Sequence, residues 1–395
     1  MHPGRGGGGE YGDATTKGDG DNLEGGGNHH HPTHHLKFSG MALKITLLFA
    51  VVIITCLLLN QSTYPIEFFR SSNSFSLPKD SNISSLPSCE NRDAYSSSFH
   101  QHTSQNLLSP EKEENRDLET TLRKAAMKEN RTVIITTLNA AWTEPNSVFD
   151  LFLESFRIGN GTAELLKHVV VGAFDQTAYN RCLAEGLHCY AVTTDGVDFS
   201  GEAFFMSEDY LKMMWRRIDF LRNVLELGYD FVFTDADVMW LRNPFERFYP
   251  DGDFQIACDH YWAEYKDRSN SPNGGFNYVR SNNRTIQFYK FWYTGQFYFP
   301  GKHDQDVLNF IKLDPFISQI GLEMRFLDTA YFGGFCEPSK DLDLVITMHA
   351  NCCIGLYNKL HDIKMVIDDW KRYMSLPVDQ RNSTIRSWTV PRICG

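Results

Sequence analysis

Two aspartates one residue apart, Asp235 and Asp237, follow the apolar run Phe231-Val232-Phe233-Thr234 and give the chain its most specific chemical signal. Side chains alternate along a strand, so both carboxylates are expected to leave the carboxyl end of this buried strand on the same side. Two anions side by side against an apolar strand repel one another and lose hydration unless a cation lies between them. Magnesium or manganese held by one or two carboxylates can complete its shell with the oxygens of a diphosphate. It then stabilises the charge that builds on a departing nucleoside diphosphate. The ordinary alternative is that one aspartate caps a turn and the other pairs with Arg242.

Other residues offer to complete such a site. His349 ends the apolar stretch Leu344–Met348 and is read as a third metal ligand, against the plainer role of a structural histidine. Imidazole nitrogen beside carboxylate oxygen shifts the preference from magnesium towards manganese. Asp304, Gln305 and Asp306 open a helix whose apolar face is Val307, Leu308, Phe310 and Ile311, so the two acids sit at a helix start, where capping is the usual role. Gly274 and Gly275, after Pro272 and Asn273, allow close backbone approach to a ligand or make an ordinary turn. Arg216 and Arg217 are minor candidates for steering a diphosphate, since basic residues usually mark a solvated helix face. An aspartate pair after an apolar strand also occurs in haloacid-dehalogenase-type phosphatases. There a Thr or Val stands two positions after the second aspartate, whereas this chain has Met239.

The elements that must position these groups alternate between strand and helix. Thr132–Leu138, His168–Ala173, His188–Val192 and Phe231–Thr234 read as strands, and Val148–Ile158, Gln176–Glu185 and Glu208–Leu227 as helices. This order implies a largely parallel α/β sheet with helices on both faces. In the long helix Leu211, Met214, Trp215, Ile218, Leu221 and Leu225 share one face, and Gly228 supplies the stop.

Ahead of this part the composition differs. Residues 1–40 are rich in Gly and His with little apolar content and are expected to be a disordered cytosolic tail. Ile45–Leu59 is free of charge, and residues 41–60 are expected to form a transmembrane signal anchor. Residues 61–115, rich in Ser and Asn, read as a stem, with the catalytic domain over 116–395. Asn-x-Ser/Thr triplets, among them those beginning at Asn82, Asn130, Asn160, Asn283 and Asn382, and eight cysteines after Cys56 agree with an oxidising lumen. Cys182 and Cys189 bracket a short segment and are expected to pair. The net charge of -11 and the lack of a basic stripe argue against a nucleic-acid-binding surface.

Taken together, FVFTDADVMWLRNPF (Phe231–Phe245), SPNGGFNYVRS (Ser271–Ser281), HDQDVLNF (His303–Phe310), YFGGFCE (Tyr331–Glu337) and MHANCCIGLYNKL (Met348–Leu360) resemble plant nucleotide-diphospho-sugar transferases. These are the retaining glycosyltransferases that include rhamnogalacturonan-II xylosyltransferases and extensin arabinosyltransferases. The resemblance implies a GT-A-type fold and metal ligation by Asp235 and Asp237, with Asp235 also on the donor. It implies donor contacts from Asn273, Gly274, Gly275 and Asp306, and an approach of Asp304 and Gln305 to the sugar ring. Gly355 and Lys359 resemble the end of a His-x-x-Gly-x-x-Lys motif at longer spacing, with Lys359 as a diphosphate contact. The expected partners are a UDP-sugar, manganese or magnesium, and a cell-wall glycan or glycoprotein acceptor. The expected place is the Golgi membrane, in a single-pass type II protein with its catalytic domain in the lumen. A non-catalytic lumenal protein of the same fold, binding a nucleotide sugar or a glycan, is the rival.

Overall fold

The computed structural model describes residues 110–394 apart from 193, 195, 263, 385 and 386. The expected tail, the anchor at 41–60 and most of the stem lie outside the described residues. Among the described residues no helix is long and apolar enough to cross a membrane.

The strands are β1 (Thr132–Leu138), β2 (Val169–Ala173), β3 (His188–Ala191), β4 (Asp230–Thr234), β5 (Val238–Trp240), β6 (Phe254–His260), β7 (Ser271–Val279), β8 (Met324–Phe326), β9 (Phe332–Gly334) and β10 (Thr347–His349). The helices are α1 (Pro110–Ala125), α2 (Val148–Ile158), α3 (Gln176–Ala184), α4 (Glu208–Glu226), α5 (Asn283–Tyr298), α6 (Asp304–Ile311), α7 (Pro315–Gln319), α8 (Leu356–Ser375) and α9 (Val378–Thr384). Helix α1 straddles the expected boundary between stem and catalytic domain.

Seven strands form the main sheet in the order β3-β2-β1-β4-β7-β6-β8. The β3-β2-β1-β4 half is parallel, as expected. Beyond β4 the sheet is mixed: β7 runs antiparallel to β4 and to β6. The expectation of a largely parallel sheet therefore holds for one half only. Its physical reason lies in the connection, because the return from β6 to β7 is a loop and no crossover helix intervenes.

Alternation along β1 shows how the sheet divides two cores. Ile134 enters one core with Val171, Val232 and α2, while Val133 and Ile135 enter the other with Phe231, Phe233 and α4. Helices accordingly cover both faces. Helix α4 keeps its apolar face buried through Met214, Trp215, Ile218, Leu221 and Leu225. It ends at Gly228, whose φ of +78° is open to glycine without strain.

A second sheet, β5-β10-β9, lies at the carboxyl end of β4. Its register sets His349 of β10 opposite Val238 of β5. Three disulfides fasten the described chain: Cys182–Cys189, as expected, Cys336–Cys352 and Cys353–Cys394. Cys258 is buried and free.

Candidate active site

A tight turn between β4 and β5 carries both aspartates. The Asp235 amide donates to the Gly275 carbonyl of β7 at 2.7 Å, and the Val238 amide returns to the Asp235 carbonyl at 3.2 Å. The pair is thus brought to one side by a turn and not by strand pleating. The Ala350 amide donates to the Asp237 carbonyl at 3.0 Å, which ties the end of β10 to the same turn. Side-chain ligand atoms of Asp235, Asp237 and His349 all lie within 4.8 Å of one another. Two carboxylates and an imidazole at this spacing suit a divalent transition ion.

Glycine is required at 275. A Cβ there would lie 2.5 Å from both Asp235 Oδ2 and His349 Cε1. Position 274 is less constrained, since a Cβ would make ordinary contacts with Asp304 and Gln305.

The two aspartates differ in their surroundings. The Asp237 side chain is 2% exposed, hydrogen-bonded with His349 Nε2 at 3.1 Å, and accepts from Lys359 Nζ at 2.5 Å. Burial opposes its charge, but Lys359 and His349 outweigh burial and hold the carboxyl well below the usual carboxylate range. The Asp235 side chain is 31% exposed and accepts from Arg217 at 2.9 Å. Burial, reinforced by the adjacent Asp237, raises its carboxyl above the ordinary value in spite of Arg217.

Arg217 also donates to Asp304 Oδ2 at 2.5 Å, bridging the Asp235 turn to the start of α6. Burial would raise the Asp304 carboxyl, yet Arg217 and His303 bring it down to about 2. Asp304 is therefore an ion-pair partner of Arg217 rather than a helix cap. Gln305 Oε1 accepts from the Gly274 amide at 2.9 Å, and Asn273 Oδ1 accepts from the Gly275 amide at 2.9 Å.

These residues share one cleft of about 530 Å³. It gathers Asp235, Asp237, His349, Asn273, Gly274, Gly275, Asp304, Gln305, Arg217 and Lys359. Trp142 and Phe174 line it as well, and Lys359 Nζ stands 5.9 Å from the Trp142 ring. Two candidates sit elsewhere. Asp306 lies outside the cleft lining, near Lys302 and His303. Arg216 faces Asp219 at 3.1 Å and lines a separate hollow with Asp117 and Tyr293. Arg242 does not pair with either aspartate of the turn: it donates to the carbonyls of Leu342 and Val345.

Sequence reasoning missed Asp259 and Asn351, both in the cleft lining. Asp259 follows the buried stretch Phe254–Cys258 of β6 much as Asp235 follows its own strand, and Asn351 stands two residues after His349. Those positions were the available signal.

Residues 164–363 match the nucleotide-diphospho-sugar transferase family. An uncharacterised protein of Arabidopsis thaliana is 53% identical over 270 residues, which cover 68% of this chain and 71% of that protein. A shorter stretch of 69 residues is 38% identical to the UDP-galactose:fucoside alpha-3-galactosyltransferase of Dictyostelium discoideum, covering 17% of this chain and 11% of the relative. Among solved structures, a glycosyltransferase involved in the glycosylation of the major capsid of PBCV-1 aligns with a TM-score of 0.36 at 12% identity, over 59% of this chain and 99% of the other.

Proposed function

The chain belongs to the nucleotide-diphospho-sugar transferase family, glycosyltransferases that depend on a nucleotide-sugar donor, and on that premise we propose that it moves a sugar from a UDP-sugar to a hydroxyl of a cell-wall glycan or glycoprotein, with retention, in a GT-A-type cleft. The observation that carries this reading is the convergence of Asp235, Asp237 and His349 over Gly275. These three side chains would hold manganese, or magnesium less well. When bound, the cation supplies Lewis-acid stabilisation of the leaving diphosphate.

The chain's own residues do the remaining work. Lys359 places a positive charge beside Asp237, at the end of the site where a diphosphate would lie. Trp142 and Phe174 offer apolar surface for the flat base of the nucleotide. Gln305, held between the Gly274 amide and Asp259, lines the cleft beside the position the sugar would take. Asp304 is buried and tied to Arg217, which blunts it as a nucleophile. A front-face attack, with the leaving diphosphate taking the acceptor proton, fits this site better than a covalent route. Three disulfides support an oxidising compartment, and we assign the domain to the Golgi lumen, behind the anchor that the sequence of residues 41–60 leads one to expect.

The test is a screen of the purified protein against UDP-sugars, with and without an acceptor mixture, at fixed manganese or magnesium. The expected result is UDP release that a chelator abolishes and manganese restores. Absence of release from every UDP-sugar in the presence of metal would sink the reading.

A further inference from the structure

Asp259, on β6, stands apart from the metal cluster, and its partners are all amides. Its Oδ1 accepts from Asn273 Nδ2 at 2.8 Å and from Asn351 Nδ2 at 2.8 Å, and its Oδ2 accepts from Gln305 Nε2 at 2.9 Å. The Cys336 sulfur, 3.3 Å from Oδ1, is bridged to Cys352 and has no proton to donate. The three amides come from β7, α6 and the segment after β10, and each uses its oxygen in a second bond. Asn273 Oδ1 accepts from the Gly275 amide, Gln305 Oε1 from the Gly274 amide, and Asn351 Oδ1 from the Cys336 amide at 3.1 Å.

The pattern has one chemical solution. An ionised carboxylate accepts and never donates, whereas a carboxamide has one end of each kind. With a carboxylate at 259, all three N–H groups turn inward and all three oxygens turn out to backbone N–H groups. A neutral amide at 259 would aim an N–H at one of the three N–H groups. The network then hands its order onward. It fixes Gly274 and Gly275, and the Gly275 carbonyl holds the Asp235 amide at 2.7 Å.

We propose that Asp259 is a positioning residue for the transfer reaction: its charge sets the amide orientations of Gln305 and Asn273, and through them the Gly274-Gly275 floor beneath the metal-binding turn. This rests on the glycosyltransferase reading above for its kinetic consequence but not for its structural one. Asp259 touches neither Asp235 nor Asp237, so it acts on geometry and leaves the cation ligands in place.

The experiment uses the full chain with Asp259→Asn, and with the reciprocal pair Asp259→Asn and Gln305→Glu. In the pair, the new amide at 259 donates to the new carboxylate at 305, whose other oxygen still accepts from Gly274. The oxygen at 259 still serves Asn273 and Asn351. For the single variant, kcat is expected to fall roughly 10²-fold, as for a misplacement of the reacting groups. The donor KM should change by less than about threefold, since uniform binding is retained. Hydrogen exchange at the Gly274 and Gly275 amides should quicken by about tenfold or more, as expected when a buried polar network is left mismatched. The pair should regain most of the exchange protection, the readout that depends on the network alone.

Exchange at Gly274 and Gly275 unchanged in Asp259→Asn, or no recovery of exchange protection in the pair, would overturn the proposal whether or not turnover is measurable. Equal turnover in wild type and Asp259→Asn would overturn it too. A wild type that releases no UDP, while exchange responds as described, would instead count against the glycosyltransferase reading alone.

Discussion

Two groups of carboxylates share the cleft and are neutralised in opposite ways. Asp235 and Asp237 face charged side chains and an imidazole: Lys359, Arg217 and His349. Asp259 faces three amide N–H groups whose directions are fixed by backbone bonds at their far ends. A charge partner on a long side chain can yield its place to a cation, whereas a set of fixed dipoles defines a shape. The first group is therefore suited to hold a metal and the second to hold the floor on which the metal site stands.

Arg217 ties the first group to α6, because it links Asp235 to the buried Asp304 at the start of that helix. Substitution Arg217→Met should produce the largest effect on stability, about 3–5 kcal/mol, by leaving a buried carboxylate unpaired. Urea unfolding at neutral pH reads it. The pH dependence has a definite sign. Asp304 in the fold titrates at about 2, below its ordinary value, so its contribution is complete above that ordinary value and is lost as pH falls towards about 2. An Arg217→Met variant as stable as wild type at pH 7 would mean that the bridge is not what holds the Asp235 turn to α6.

Gly275→Ala tests the floor directly. Its Cβ would meet Asp235 Oδ2 and His349 Cε1 at 2.5 Å, so transfer should fall roughly 10²-fold through displaced ligands, whereas Gly274→Ala, with ordinary contacts only, should fall far less. Comparable rates in the two variants would show that the floor tolerates movement and would blur the contrast.

The smallest expected effect is one of selectivity. His349→Ala removes the nitrogen ligand and should weaken manganese more than magnesium, by about tenfold in relative affinity. Titration of activity against each metal measures it. An unaltered ratio would return His349 to a structural part as the hydrogen-bond partner of Asp237 and leave two carboxylates as the site.

The half of the molecule that carries β1 to β4 could be read from sequence almost residue by residue. Thr132–Leu138 and Val148–Ile158 form as expected because their apolar periods run without interruption. The second half resisted for physical reasons. Strands β5, β8, β9 and β10 have three residues each, too few to show a period. The pairing of β6 with β7 shifts register between Ile256 and Cys258, which breaks the alternation a reader would follow. Asp235, Asp237 and His349 were recognisable as types, but the turn that gathers them depends on the β5-β10 pairing. Asp259 was invisible as a hub because its three partners come from segments that meet only in the fold. Among the disulfides, the local Cys182–Cys189 pair could be anticipated, whereas pairing of the four later cysteines does not follow from order alone.

The central claim is that the cleft is a metal-dependent transferase site built on the aspartate pair. Its most direct test is manganese binding and UDP-sugar turnover measured side by side on wild type and Asp237→Ala, with the melting temperature as a control on folding. The account predicts that wild type binds manganese and turns over, while the variant loses manganese affinity and roughly 10³-fold or more in turnover, with its melting temperature within a few degrees of wild type. A folded Asp237→Ala protein that keeps full manganese-dependent transfer would contradict it.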